Sequence, residues 1–309
     1  MIYLNSENIQ QNSPTVITIG NFDGVHIGHK QLIKTAVDYA KKNRLQSLVF
    51  SFNPHPKTVL MDQSPGQIFV SSEKASVFKE MGVDIFLEYP FSKELAEYSP
   101  HLFLEKILID LLKCTALVLG ENSRLGKGRK ADIAQIKEIA KEYNINVFVE
   151  SLLKDENGGN ISSTKVREAL LEGNIKNVNA MLGHSYFLSG TVLTGDRRGS
   201  KIGFPTANIQ TEPSKILPKN GVYITTTTLP NGSIYPSVTN VGIHPTFKKE
   251  GMSVIIETFI LDFNQDLYGK KIEVKFLEHI RGEKKFDGIN ELIAEINKDV
   301  QQARKYSYL

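Results

Sequence analysis

Thr15-Val16-Ile17-Thr18-Ile19-Gly20-Asn21-Phe22-Asp23-Gly24-Val25-His26-Ile27-Gly28-His29 is an apolar run that breaks into a glycine-punctuated loop and then enters an amphipathic stretch. The run 15–19 is rich in β-branched residues and bounded by Pro14 and Gly20, which predicts a buried strand. Gly20, Gly24 and Gly28 let the backbone turn sharply and approach a ligand closely. Residues 29–42 then place Leu32, Ile33, Ala36, Val37 and Ala40 on one helical face. The N-terminus of such a helix offers unpaired N–H groups and a positive dipole end to phosphate oxygens. His26 and His29 add hydrogen bonds that strengthen as charge moves onto a leaving group. His-x-Gly-His alone is a weak signal; its place between strand and helix, after Gly-Asn-Phe-Asp-Gly, gives it weight.

Outward from this loop, strand-like and helix-like segments alternate to about residue 150, which predicts a parallel sheet with helices on its faces. Further strands are expected at 45–52, 83–88, 116–120 and 147–150, and helices at 72–81, 101–113 and 132–143. Ligands in such sheets bind beyond the carboxyl ends of the strands, where Gly20, Asn53, Tyr89 and Gly120 fall. After a polar turn at 155–160 come Ile161-Ser162-Ser163-Thr164-Lys165-Val166-Arg167, a helix, and a second helical pattern ending at Leu182-Gly183. Ser162, Ser163 and Thr164 suit a helix cap, and Lys165 and Arg167 add charge for phosphate oxygens, although a capped, solvated surface turn has the same composition. From 186 the pattern changes to β segments at 186–193, 222–228, 233–241, 254–261 and 271–276, without intervening helices. This predicts an antiparallel barrel or sandwich, with a terminal helix at 289–305 over one end. The expected domains are 1–184 and 185–309.

The 309 residues suffice for two cores, and 37 basic against 34 acidic residues leave a net charge of +3, too mild to announce a nucleic-acid or membrane partner. A single cysteine, Cys114, excludes an internal disulfide and sits in an apolar segment as a packing residue. The first fourteen residues lack the basic start and apolar core of a signal peptide, and no run approaches membrane-spanning length, so the cytoplasm is the expected compartment.

GNFDGVHIGH at 20–29 resembles the HxGH nucleotidyltransferase superfamily and, within it, the N-terminal signature of the bacterial bifunctional riboflavin kinase/FAD synthetase family. In that family ISSTxxR, here 161–167, partners the HxGH loop to hold ATP. The resemblance implies a Rossmann-like first domain in which Gly20, Phe22, Asp23, Gly28, Asn122, Ser162, Ser163 and Thr164 bind ATP. It gives catalytic roles to His26, His29 and Arg167, and flavin contacts to Asn53 and Pro54. Leu119-Gly120-Glu121-Asn122-Ser123-Arg124-Leu125-Gly126-Lys127-Gly128-Arg129 is not a P-loop, since Glu121 and Gly128 stand where Gly and Ser or Thr are required. It resembles another loop of the family, with departures: Ser123 and Leu125 replace two phenylalanines, and Ala131 a common glycine. Asn53 replaces the more usual Asp. Loss of aromatic surface beside a flavin weakens ring packing without touching phosphate chemistry.

The stretch 190–208 resembles the riboflavin kinase signature GxVxxGxxxGxxxGFPTAN at every defined position. The resemblance implies a kinase-type barrel with ATP on Gly195, Gly199, Lys201 and Gly203, and flavin against Phe204, Arg281 and Glu283. Thr206 and Asn208 are hard oxygen ligands suited to Mg²⁺. In the family the residue at Glu257 is the general base toward the terminal ribityl hydroxyl. The implied chemistry is MgATP-dependent phosphorylation of riboflavin to FMN, then adenylylation of FMN to FAD with release of pyrophosphate. The partners are small molecules, with no nucleic acid or membrane, in a monomer or transient homo-oligomer. A narrower reading keeps the kinase and weakens the adenylyltransferase, where all the departures fall. The literal HIGH tetrapeptide also marks class I aminoacyl-tRNA synthetases, which carry a KMSKS-like loop where this chain has ISSTKVR. A nucleic-acid-binding barrel would need a basic groove interleaved with aromatics, and Lys248-Lys249 and Lys284-Lys285 are only short pairs.

Overall fold

The apolar run at 15–19 is a fully buried strand at the centre of a six-stranded parallel sheet. A computed structural model describes residues 1–6, 9–61, 66–155, 158–195, 199, 202–244 and 253–306. It contains two units, one of Met1–Gln67 and Ser71–Ser162, the other of Ile68–Val70 and Ser163–Leu309. The first runs β1 (Ile2–Leu4), β2 (Thr15–Ile19), α1 (Ile27–Asn43), β3 (Gln46–Asn53), α2 (Pro56–Met61), α3 (Ser71–Glu80) and β4 (Ile85–Pro90). It continues through α4 (Lys93–Ala96), α5 (Pro100–Phe103), a π-helix (Leu104–Leu111), β5 (Cys114–Gly120), a 3-10 turn (Lys127–Arg129), α6 (Ile133–Glu142) and β6 (Asn146–Glu150).

The strand order is β1-β4-β3-β2-β5-β6, so the chain leaves β2 toward β3 and β4, then returns to its other side for β5. That reversal puts a crevice at the carboxyl end of β2, where Gly20 begins the loop. The inner strands β2 to β5 are largely buried and mostly apolar on both faces, as parallel sheets with helical cover require. Cys114 is buried at the start of β5, and burial pushes its thiol well above the ordinary value, as suits a packing residue. Several features differ from the sequence pattern, the short helices α2 and α4 among them. β1 was not expected, being three residues whose place is set by pairing with β4. The helix expected at 101–113 starts as α5 and widens into a π-helix, with Leu112 N–H donating to Ile107 O.

The second unit contains α7 (Ser163–Glu172), α8 (Ile175–Leu182), β7 (Phe187–Leu193), β8 (Ala207–Gln210), β9 (Gly221–Thr228), β10 (Ile234–His244), β11 (Ser253–Ile260), β12 (Lys271–Arg281) and α9 (Ile289–Lys305). Its six strands close in the order β10-β11-β8-β7-β12-β9, all neighbours antiparallel. This is the barrel alternative of the two expected, and closure removes the exposed strand edges. β8 is the strand the periodicity did not reveal; four residues are too few. α9 lays Val300 and Ala303 on Val222, Ile224 and Val238 of the outer surface. Strand alternation therefore turns Thr225, Thr227, Ser237, Thr239 and Thr258 inward, all fully buried. They satisfy one another, Thr258 to Thr239 at 2.9 Å, Thr239 to Thr225 at 2.8 Å and Thr225 to Ser237 at 2.7 Å, with Thr227 donating to Ser237 at 2.9 Å. The side chain of Asn179 joins α8 to the barrel, donating to Phe276 O and accepting from Tyr186 N–H. Ile68–Val70 belongs to this unit as well. Buried Lys215 donates to Ile68 O at 2.7 Å and Phe187 O at 2.8 Å, and its ammonium lies 4.6 Å from the ring centres of both Phe69 and Tyr186.

Candidate active sites

The loop after β2 turns through Phe22, Gly24 and Val25, all with positive φ (49°, 78° and 43°). For Val25, a β-branched residue, this is a strained conformation, which surrounding packing must hold. Val25 and Phe22 are buried, and the Phe22 ring lies edge-on to His29 and to Phe78. His26 is the N-cap of α1: its Nδ1 accepts the His29 backbone N–H at 3.3 Å. A neutral His26 with Nδ1 accepting carries its proton on Nε2, leaving that atom a donor. The two imidazoles stack at 3.6 Å between centres. A Cβ on Gly28 would come within 3.3 Å of the His26 ring, so glycine keeps the cap close. Burial lowers the His26 pKa to about 4 and that of fully buried His29 well below its usual value, with further lowering of His29 by His26 and Lys74. Both rings are neutral near pH 7. His29 Nδ1 is buried without a partner, a polar atom left for a ligand to satisfy.

Asn21 bridges this loop to the next strand end, its Nδ2 lying 2.9 Å from His55 Nε2. Asn53 ends β3, followed by Pro54, so Gly20, Phe22, Asp23, Gly28, Asn53 and the two histidines share the carboxyl edge of the sheet. Helix α1 is braced by Glu150 at the end of β6, which accepts from Gln31 at 2.6 Å and Thr35 at 2.8 Å. Asn122 is exposed in the turn after β5. The departures at Leu125 and Ala131 have a packing explanation. The two residues pair through backbone bonds of 3.1 and 3.2 Å and are buried in the sheet's core. Ser162 precedes α7, and Ser163, Thr164 and Arg167 occupy its first turns.

On the barrel, Glu257 of β11 stands opposite Asn208 of β8 and Asn240 of β10. Directly paired residues share a face, so these three form a polar row on the outer surface, which leaves Glu257 half-buried rather than fully solvated. Next to it the Phe204 ring meets Phe259 edge-on. A Cβ on Gly195 would fall 2.2 Å from Asn208 Nδ2, and one on Gly199 would fall 2.3 Å from Phe204 O. Any side chain at either position would push the loop off the residues it cradles. Gly199 O also accepts from Ile202 and Phe204 N–H, and a Cβ on Gly199 would lie 3.5 Å from Thr206 Oγ1, while Gly203 takes a positive φ of 90°. Lys201 lies outside the described residues, as do Pro245-Thr246-Phe247 and Lys248-Lys249. Arg281 forks onto Asp299 of α9, Nε to Oδ1 at 3.1 Å and Nη2 to Oδ2 at 2.7 Å. Glu283 receives Asn220 Nδ2 at 3.4 Å. Among the described residues no cluster of three His, Cys, Asp or Glu side chains could hold a metal. Thr206 and Asn208 fit Mg²⁺ in another way: Mg²⁺ takes few protein oxygens and completes its shell with phosphate and water.

Sequence reasoning missed Glu88 and Lys74, which lie within reach of Asn53 and His29; the signal was a carboxylate inside the apolar strand Ile85–Pro90.

Two family patterns divide the chain between them. The FAD synthetase family pattern matches residues 8–165, and the riboflavin kinase family pattern matches 182–307. The chain is 36% identical to the bifunctional riboflavin kinase/FMN adenylyltransferase of Listeria monocytogenes over 94% of this chain and 92% of that one. It is 35% identical to the same enzyme of Bacillus subtilis over 96% and 94%. A crystal structure from Streptococcus pneumoniae, described as a macrolide-efflux protein, superposes with a TM-score of 0.90 at 30% identity, covering 99% of this chain and all of that one. Among the described residues no helix is long and apolar enough to cross a membrane. With both patterns matched and relatives of one description covering nearly its whole length, the chain belongs to the bifunctional riboflavin kinase/FMN adenylyltransferase family.

Proposed function

We propose that this protein phosphorylates riboflavin with ATP at the barrel and adenylylates the FMN so formed at the histidine loop. The observation that carries the reading is that each family pattern falls on a complete fold with polar groups at its ligand-facing edge. In the first reaction Glu257 orients the terminal ribityl hydroxyl and accepts its proton as the oxygen attacks the γ-phosphorus of ATP, releasing ADP. Gly195, Gly199 and Gly203 bring backbone amides around the phosphates, with Lys201 adding charge and Phe204, Arg281 and Glu283 meeting the flavin. Thr206 and Asn208 would hold Mg²⁺, which supplies charge neutralisation between the phosphates.

In the second reaction a phosphate oxygen of FMN attacks the α-phosphorus of ATP, and the bond to pyrophosphate breaks. The attacking oxygen is already anionic, so positioning and charge stabilisation are sufficient and no protein nucleophile is required. Neutral His26 donates from Nε2 and the α1 N-terminus from its N–H groups. Gly20, Phe22, Asp23, Gly28, Asn122, Ser162, Ser163 and Thr164 surround ATP, Arg167 binds phosphate, and Asn53 and Pro54 contact the flavin. The protein works on small molecules in the cytoplasm, as a monomer or transient homo-oligomer. A time course with riboflavin and MgATP, resolving FMN from FAD, tests the whole: FMN must appear first and FAD follow. FMN that accumulates without FAD would sink the second activity.

A further inference from the structure

Glu88 is 1% exposed and Lys74 5% exposed, a buried ion pair in which Lys74 Nζ meets Glu88 Oε1 at 2.7 Å. Removing both charges from water costs so much that an apolar pair of the same volume is commonly as stable or more so. The pair therefore stands out as a device for specifying geometry. Glu88 Oε2 accepts from the Tyr3 hydroxyl at 2.7 Å and from Asn53 Nδ2 at 3.3 Å, and Ser71 adds a further bond. Burial would push the Glu88 carboxyl toward its neutral form, but Lys74 and these donors hold its pKa below the ordinary value. An ionised carboxylate only accepts hydrogen bonds, so it takes the nitrogen end of the Asn53 amide and leaves the oxygen end as an acceptor. On its other side Lys74 is near enough to His29 to disfavour protonation there.

From this geometry we infer that Glu88, paired with Lys74, is a positioning residue for the adenylyltransferase site. It fixes the Asn53 amide with its oxygen presented to flavin N–H or O–H donors, and it specifies Asn over Asp at position 53. The inference rests on the reading of Asn53 as a flavin contact. An aspartate at 53 would place a second carboxylate about 3.3 Å from Glu88 Oε2, with the one ammonium of Lys74 already bound to Glu88 Oε1. The Asn at 53, a departure from the family's usual residue, then belongs with Glu88 rather than standing as a lost function.

The test is a cycle of wild type, N53D, E88Q and N53D/E88Q, reading KM and kcat for FMN adenylylation, with riboflavin phosphorylation on the same preparations to report folding. N53D should raise the FMN KM about tenfold with kcat little changed, E88Q about threefold, and the double variant should return to within about threefold of wild type, coupling of a size usual for touching residues. Rescue and a KM-selective loss are outcomes that a merely structural role does not produce. Since E88Q strands the Lys74 ammonium, the cycle is repeated in K74Q/E88Q should E88Q fold poorly. Additive losses, or an unchanged KM in N53D, would overturn the inference while leaving the two-site function intact. A wild type that makes no FAD from FMN would instead overturn that function and this inference with it.

Discussion

The histidine loop and the barrel face are built from different materials. The first is built from strained, buried, neutral groups: Val25 at positive φ, two stacked imidazoles, a helix N-terminus. The second is built on strand register, with Asn208, Glu257 and Asn240 in one row and glycines pressed against Asn208 and Phe204. A register-built site is fixed by backbone pairing and tolerates change around it, whereas a loop-built site depends on each neighbour that props it. The loop's imidazoles are also kept neutral by burial, so acid is what charges them.

The largest effect should come from the residue with the most direct chemical role. Glu257→Gln should cut FMN formation by about a thousandfold while FMN adenylylation persists, within the range for loss of a positioned base. Loss of both activities in folded protein would break the two-site division. His29→Ala should do the converse, lowering FAD formation from FMN by about a hundredfold or more with riboflavin phosphorylation retained. A His29→Ala protein that still makes FAD at the native rate would remove the loop from the chemistry.

Acid sharpens the contrast next. Burial takes His26 from 6.5 to about 4, so between those values the unfolded chain binds a proton that the folded one refuses. The stability this contributes is present above pH 6.5 and is lost as the pH falls toward 4, by about 3 kcal/mol from His26 alone. Hydrogen exchange at pH 7 and pH 4.5 should show protection falling in α1 more than in β9–β11, and His26→Asn, which keeps a capping side chain, should flatten the difference. Equal losses in both regions would remove the contrast. The smallest effect concerns the barrel interior. Thr239→Val deprives Thr258 and Thr225 of a partner and should cost about 1–2 kcal/mol in urea denaturation with little change in kinase KM.

The element pattern was largely legible because both periodicities were strong: the strand at 15–19, the helix after it and the β-rich second half all stand in the structure as read. α1 begins two residues earlier than its apolar face suggested, since His26 takes the cap that Gly28 leaves room for. β1 and β8 escaped because three and four residues carry no period; their existence is a tertiary fact, decided by β4 and by β7 and β11. The motif residues could be named from the chain, but what props them could not. Glu88 is a lone charge in a strand, and only its contacts with Asn53, Tyr3 and Lys74 give it meaning. Likewise Leu125 and Ala131, which read as missing aromatic and glycine positions, are core residues closing a short bridge.

The seat of Phe69 bears on how this protein could be divided. Ile68–Val70 is encoded in the first half of the gene yet completes the barrel unit, where Lys215 holds its backbone and Phe69 covers Tyr186 and Phe187. A split gene, or a fragment starting anywhere after residue 70, yields a barrel lacking three of its own residues. Its Lys215 ammonium would lose the Ile68 carbonyl and the Phe69 ring, and an aromatic face would be left bare. Separation of the two halves thus demands a substitute for that short tripeptide, and its presence favours keeping the activities on one polypeptide.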